Sequence, residues 1–592
     1  MYSAEFKGWG NLTIEDMFVA YRKAKADCFF ENTFPTAIKF ADYEQDLLGN
    51  LSKLLDEVEE SQGFCNNVKL LGEIRLLPKK LSINPDSSTA GHIHFSDAKR
   101  AFENLVTFNT ISPEFRLVGD FPVDAHVLSA LWINMIGHKF DACLSESCYG
   151  ARLRRIVNDE ILEQEEYEPF HLRAIGSFAP YFEPYQKWRG DGLKAIRGEL
   201  DKEKHIIAAS LDLKSYYHYI EPLDFSNMEL FSALGVDLSE EEITFTRELA
   251  NFLNEWNKKA AQFSKDLINN SAQSDVGGIK GGLAIGLTAS RIISNVLLHK
   301  WDKLIVQNVS PIHYGRYVDD MFLVLRDPGN IRNTDDFMRF LQTKIGEDVV
   351  YQDKIEADGS STKWNINQGK DVQEKSMITL QSDKQKLFIL DGQAGLDLLD
   401  SIEKDIYELS SEHRLMPSPD QLEHSTAARV LSAAGSVGEK ADTLRRADGL
   451  TIQRLSWALQ LRHVETLALD LPSTEWSEQR KEFYQFAHTH VLRADNLFSH
   501  FSYLPRLLGF AISLNEWDEA ERIVSRSYAS LKQLQEGISD GNTISINGFS
   551  VEGDGEIWRY IKATITWMFI DAAARYYDPD KLKAESRSKK EQ

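Results

Sequence analysis

RYVDDMFLVL (Arg316–Leu325) decides how this chain is read: an apolar run long enough for a buried strand carries two adjacent carboxylates, Asp319 and Asp320. Ionised acids in apolar surroundings are costly unless cations or donors meet them. Side chains alternate along a strand, so neighbouring acids serve one site only if they sit at a hairpin tip. A second run of the same texture, HIIAASLDL (His205–Leu213), carries a third acid, Asp212, near its end. If the two runs are neighbours in one sheet, three carboxylates converge on one edge of it. Such hard oxygen donors suit Mg²⁺, and two ions about 3.5–4 Å apart are the arrangement for in-line nucleotidyl transfer. The plain alternative for any single strand aspartate is a turn former or an ion-pair partner.

Around these runs lies a chain of 592 residues with 42% hydrophobic and 27% charged content, which excludes disorder, collagen-like and coiled-coil classes for its bulk. The length suggests about three or four domains, or one multi-lobed enzyme. With 67 basic against 90 acidic residues, a uniformly cationic nucleic-acid coat is excluded, and any polyanion contact is a local groove. Cys28, Cys65, Cys143 and Cys148 show no zinc-like pattern and read as thiols in a reducing cytosol. The start has no basic region followed by an apolar core, and no run of about 20 apolar residues occurs. A soluble cytoplasmic protein with no membrane partner is expected.

Residues 1–70 read as helices, with Thr13 and Asp16 as a cap and Asp46–Glu59 as an amphipathic stretch. Short apolar runs between Val68 and Val123 suggest strands and turns. In YFEPYQKWRGDGLKAIRGEL, Lys187, Arg189, Lys194 and Arg197 interleave with Tyr185 and Trp188. That pattern is either a nucleic-acid contact strip or an amphipathic helix with a wet face. Gly277, Gly278, Gly281, Gly282 and Gly286 precede a helix starting near Thr288 or Ser290; such glycines permit close backbone approach to a base or sugar, or make a mobile loop. The segment lacks the Lys-Ser/Thr ending of a phosphate-binding loop, which excludes an ATPase reading. SMITLQS and KLFIL are candidate strands, and from Leu396 the pattern is helical, with breaks at Pro417–Pro419 and Ala433–Gly438 and a charged, frayed tail, KLKAESRSKKEQ.

In this order, SLDLKSYYHYI, GGLAIGLTASRIISN and RYVDDMFLVL resemble motifs A, B and C of the reverse-transcriptase family of palm-fold polymerases. The resemblance implies an α+β right-hand polymerase. Its parts are an N-terminal helical extension (1–70), fingers (71–204), a palm with an antiparallel sheet (205–395) and an all-α C-terminal domain (396–592), thumb-like or a helical repeat. It implies Asp212, Asp319 and Asp320 as catalytic acids that, together with Leu213, ligate two Mg²⁺ ions, with Mn²⁺ as the other candidate. Tyr217 falls at the family's aromatic gate beneath the sugar 2′ position, and Gly286 among its nucleotide contacts. RLLPKKL and EFRLVGDFPVDAHVLSALWI resemble the fingers segments, so Lys79 or Lys80 and Arg116 would neutralise an incoming triphosphate. SCYGARL places Arg152 on the nucleic-acid path, and Lys384 or Lys386 falls where the family has a lysine that protonates pyrophosphate.

Ala284 and Ile285 replace the proline and glutamine usual in motif B, which puts template handling in doubt. These residues, Ser290–Ile293 and the long helical C-terminus resemble the abortive-infection and unknown-group branch of bacterial, defence-associated enzymes. YGARL followed by FAPYFEPYQKWRGDGL resembles the second polymerase of a type 3, paired-enzyme system. The branch implies antiphage defence by DNA synthesis from dNTPs. Its expected partners are noncoding RNA or nascent DNA, and a partner reverse transcriptase or a second copy of the chain. Two alternatives stand beside templated synthesis: template-independent, protein-templated or protein-primed addition at the same site, and an RNA-binding scaffold whose catalysis is dispensable.

Overall fold

Thr13 and Asp16 close a reciprocal cap on helix α1 (Ile14–Glu31): Asp16 Oδ2 accepts from the Thr13 N–H at 2.8 Å and from its hydroxyl at 2.7 Å, and Thr13 Oγ1 accepts from the Asp16 N–H. The computed structural model describes residues 5–31, 33–85, 97–156, 170–179, 182–267, 280–352, 364–367, 378–380, 385–400, 431–433, 450–452, 454–538, 543–552 and 556–577. Gly277, Gly278, Lys384, Pro417–Pro419, most of the Ala433–Gly438 break and the charged tail lie outside these. In chain order follow strands β1 (Glu73–Pro85) and β2 (Asn109–Asp120), helix α2 (Val123–Trp132), buried except at Asp124, α3 (Phe182–Leu200), β3 (Ile206–Asp212) and α4 (Glu240–Leu267). Next come α5 (Ala289–Leu297), α6 (His299–Leu304), β4 (His313–Tyr317), β5 (Asp320–Arg326) and α7 (Thr334–Ile345). Short strands β6 (Val350–Gln352), β7 (Trp364–Ile366) and β8 (Ile378–Leu380) form their own antiparallel sheet before β9 (Lys386–Leu390).

Strands β4, β5, β3 and β9 lie in that order in one sheet, every pairing antiparallel. With helices between β3 and β4 and between β5 and β9, this is the split β-α-β-β-α-β connection. Ile206, Ile207, Ala208 and Ala209 are all buried, because both faces of the sheet are covered and a near-continuous apolar strand is what such a layer requires. One face carries Ile206, Ala208, Val324 and Leu390, packed against Ile196 and Leu200 of α3 and against Leu399. The other carries Met321, whose sulfur accepts from Trp301 Nε1 of α6 at 3.1 Å.

The chain forms two compact units: one from 1–74, 118–263 and 278–406, the other from 75–117, 264–277 and 407–592. The segment 71–204 is thereby divided, 75–117 going with the C-terminal residues and 118–204 with the acid-bearing sheet. In the second unit, helices span Arg454–Asp470, Ser477–Phe486, Leu504–Ser513, Trp517–Gly537 and Glu556–Tyr576. The expectation of an all-α C-terminal domain is corrected. Hairpin β10 (Leu431–Ala433) with β11 (Leu450–Ile452), and hairpin β12 (Thr543–Ile546) with β13 (Phe549–Glu552), lie within it. Asn547 and Gly548 join β12 to β13 with φ of 54° and 86°, the type I′ pattern that favours Asn-Gly. Strand β12 adds in parallel to β2, and Asn547 Oδ1 accepts from the Leu117 N–H at 2.9 Å. The molecule is thus mixed α+β. Among the described residues, no helix is long and apolar enough to cross a membrane.

Candidate active site

The sheet register brings two of the three expected acids together: Asp212, the last residue of β3, pairs directly with Asp320, the first of β5. RYVDDMFLVL is therefore two strands, with Val318 and Asp319 forming the two-residue turn between the paired Tyr317 and Asp320. This is the hairpin-tip geometry that adjacent acids need. Directly opposed residues have Cβ atoms about 4.5–5.5 Å apart, and like charges there repel. Asp319 immediately precedes Asp320 in that turn.

Directly opposed residues share a face, so Asp212, Asp320, Phe322 and Tyr317 point the same way, toward α3. A Cβ on Gly192 of α3 would fall 2.4 Å from the Phe322 ring, so the helix needs glycine there to lie this close. Nearer the acids, the Tyr185 ring meets Tyr317 edge-on at 5.3 Å and Trp188 meets it at 6.0 Å. Helix α3 is accordingly amphipathic, with Trp188 and Ile196 buried and Lys187 and Lys194 exposed. Lys386, on edge strand β9, pairs with Ser210 and so lies on the acid-bearing face, two residues along β3 from Asp212.

On the opposite face, the guanidinium of Arg316 is wholly buried against Asp302 of α6, with Nη2 to Oδ2 at 2.7 Å and Nε to Oδ1 at 2.8 Å. Its Nη1 donates to Asn295 Oδ1 at 2.9 Å and to the Val318 carbonyl at 2.8 Å. Tyr314 donates its hydroxyl to Asp302 at 2.6 Å. Sequence reading missed this network. The available signal was Arg316 itself, a cation at the head of a run that is apolar apart from Asp319 and Asp320, which if buried needed an acid within reach.

The glycine segment packs on the chain's own backbone. Gly281 and Gly282 donate to Asn257 Oδ1 at 2.9 and 2.8 Å, and Leu283 donates to the Tyr217 carbonyl at 2.8 Å. Gly282 has φ 67°, and a Cβ there would sit 2.1 Å from that carbonyl. Gly286 has φ 110° and abuts the Gly119 carbonyl, while Gly119 N–H donates to the Ile285 carbonyl at 2.9 Å. Tyr217 itself is half-buried, its hydroxyl 3.1 Å from Ser294 Oγ.

The expected cations stand differently. Arg152 binds Asp141 Oδ1 at 2.9 Å through its guanidinium, and the carbonyls of Asp141, Ser145 and Cys148, bracing its own loop. Lys79, Lys80 and Arg116 belong to the second compact unit. There Glu114 takes Lys80 at 3.0 Å and Lys79 at 3.5 Å, and Arg116 is exposed on β2. Burial pushes the Glu114 carboxyl up, but Lys80, Ser82 and Lys79 outweigh it and hold the group below its ordinary value.

The donor chemistry of Asp212, Asp319 and Asp320 is that of a hard divalent cation. Among the described residues, no three His, Cys, Asp or Glu side chains are already drawn close enough to hold a metal ion. The acids fit the group by residue type, and Asp212 and Asp320 also by their direct backbone pairing. Comparison of the chain with protein-family models and with curated proteins finds no match.

Proposed function

We propose that this protein is a nucleotidyltransferase of the reverse-transcriptase kind, adding deoxynucleotides in bacterial antiphage defence. The observation that carries the reading is the pairing of Asp212 with Asp320 beside the Asp319 turn, in a split β-α-β-β-α-β sheet. Carboxylates gathered at a strand end and its turn are the hard oxygen donors that divalent cations take. Asp212, Asp319, Asp320 and Leu213 would hold two Mg²⁺ or Mn²⁺ ions, which when bound activate a 3′-hydroxyl and stabilise the leaving pyrophosphate. Tyr217, five positions beyond Asp212 and fixed by Leu283 and Ser294, would underlie the sugar and disfavour a 2′-hydroxyl. Lys386, on the acid-bearing face, would supply the pyrophosphate proton. Noncoding RNA or nascent DNA, and a partner polymerase or second copy, are the partners this reading entails.

Addition without a nucleic-acid template is the second reading. It is favoured by Ala284, wholly buried, and by Ile285, whose carbonyl is engaged by Gly119; neither offers a side-chain amide to a template base. To separate the two, purified protein is incubated with Mg²⁺ and labelled dNTPs, with and without RNA, and the product is sequenced before and after protease digestion. An RNA-dependent copied sequence supports templating. An RNA-independent, protease-sensitive product supports protein-primed addition. Biological activity that survives Asp319→Ala with Asp320→Ala would make the chain a scaffold.

A further inference from the structure

The turn that carries Asp319 has a backbone its residues do not favour. Val318 has φ 60° at the first of two central positions, the place of glycine in a II′ turn, and a β-branched residue there is strained. Strain of this kind persists only where surroundings over-determine it, and it clusters at functional sites.

Here the surroundings can be named. Arg316 has five N–H groups and all are engaged: Nε and Nη2 on Asp302, Nη2 also on the Asn295 carbonyl at 3.2 Å, and Nη1 on Asn295 Oδ1 and the Val318 carbonyl. Asn295, wholly buried, reaches onward with Nδ2 to the Gly150 carbonyl at 2.8 Å. Gly150 closes the turn from the side, since a Cβ there would lie 2.8 Å from the Val318 nitrogen. The same loop is stitched to β4: Arg316 N–H donates to the Ser147 carbonyl at 2.7 Å and Tyr149 N–H to the Arg316 carbonyl at 2.8 Å. Of the contacts of the Arg316 side chain, only that with Val318 reaches the turn. A lysine, with one nitrogen and no fork, cannot hold Asp302, Asn295 and Val318 together.

We infer that Arg316, with Asn295 and Gly150, is the positioning element of the Asp319 turn. It holds Val318 in the left-handed region and so fixes Asp319 beside the Asp212–Asp320 pair. Its purpose rests on the metal-dependent reading proposed above; the clamp itself does not.

The test uses the full chain as wild type, Arg316→Lys, Gly150→Ala, Val318→Gly and the double variant Arg316→Lys with Val318→Gly. Mn²⁺ binding is titrated by electron paramagnetic resonance, and amide hydrogen exchange is followed by mass spectrometry on the peptide spanning Tyr317–Asp320. Arg316→Lys and Gly150→Ala are expected to weaken Mn²⁺ binding about tenfold, the size of an outer-shell effect, and to speed exchange at the turn. Adding Val318→Gly restores both in the Arg316→Lys background, because glycine adopts φ 60° unaided. Unchanged exchange in Arg316→Lys, or no restoration by Val318→Gly, overturns the inference. If Arg316→Lys does not fold, Gly150→Ala, which leaves the ion pair intact, decides it. Wild type that binds Mn²⁺ no better than Asp320→Asn sinks the metal reading instead, and turn exchange alone then judges the clamp.

Discussion

The two faces of the four-stranded sheet treat charge in opposite ways. Toward α5 and α6, Arg316 and Asp302 are buried almost completely, yet each donor of the guanidinium has an acceptor and Tyr314 adds a further bond. Toward α3, Asp212 and Asp320 stand directly opposite one another across β3 and β5. Satisfied buried charge is an architectural feature, weak as evidence of added stability but ruinous to break. The difference separates the face whose buried charge is met by Asp302, Asn295 and the Val318 carbonyl from the face on which the acids are paired.

The largest expected effect lies on the acid face and is on activity alone. Asp320→Asn should lower deoxynucleotide addition by about 10³-fold or more, since several kcal/mol of transition-state stabilisation depend on the ions. Its urea-unfolding midpoint should match wild type, because the amide keeps the size and shape of the carboxylate at the strand end. A variant that loses stability in step with activity would break the contrast. On the other face, Asp302→Ala should cost about 3–5 kcal/mol of unfolding free energy by leaving Arg316 buried without its acid. A cost below about 1 kcal/mol would mean the network is not holding the hairpin.

Gly282→Ala should be intermediate, at least about 1 kcal/mol by thermal unfolding, because φ 67° and the Tyr217 carbonyl both oppose a Cβ. The smallest effect belongs to the second unit. Glu114 is half-buried between Lys79 and Lys80, so Glu114→Gln should cost under about 1 kcal/mol, falling further with salt. Because its folded pKa is depressed, this contribution is present above the ordinary value of 4.5 and is lost as pH falls through the lower folded value. Acid titration of wild type against Glu114→Gln, followed by circular dichroism, reads that difference.

The local signals in the sequence placed the acid-bearing strands well. Apolar runs gave the strands of Asp212 and Asp320, and the need for adjacent acids to share a site required the turn that divides β4 from β5. The start of α5 at Ala289 falls between Thr288 and Ser290, the two positions that the glycines before it suggested. What escaped was non-local. Nothing near Arg316 in sequence announces that Asp302 and Asn295 will meet it, since that contact exists only after α5 and α6 pack on the sheet. The grouping of 75–117 with the C-terminal residues includes the parallel pairing of β12 with β2, a contact spanning most of the chain. One miss was avoidable: Asn547-Gly548 between alternating apolar residues is a strong hairpin signal inside a region that otherwise reads as helical.

The most direct test measures incorporation of labelled dNTPs by the purified full-length protein in Mg²⁺, beside Asp320→Asn with its fold verified by circular dichroism. The account predicts incorporation by wild type that chelation abolishes and that Asp320→Asn reduces to background. Incorporation equal in both proteins, or none from a folded wild type with any dNTP, with Mg²⁺ or Mn²⁺ and with or without RNA, would contradict it.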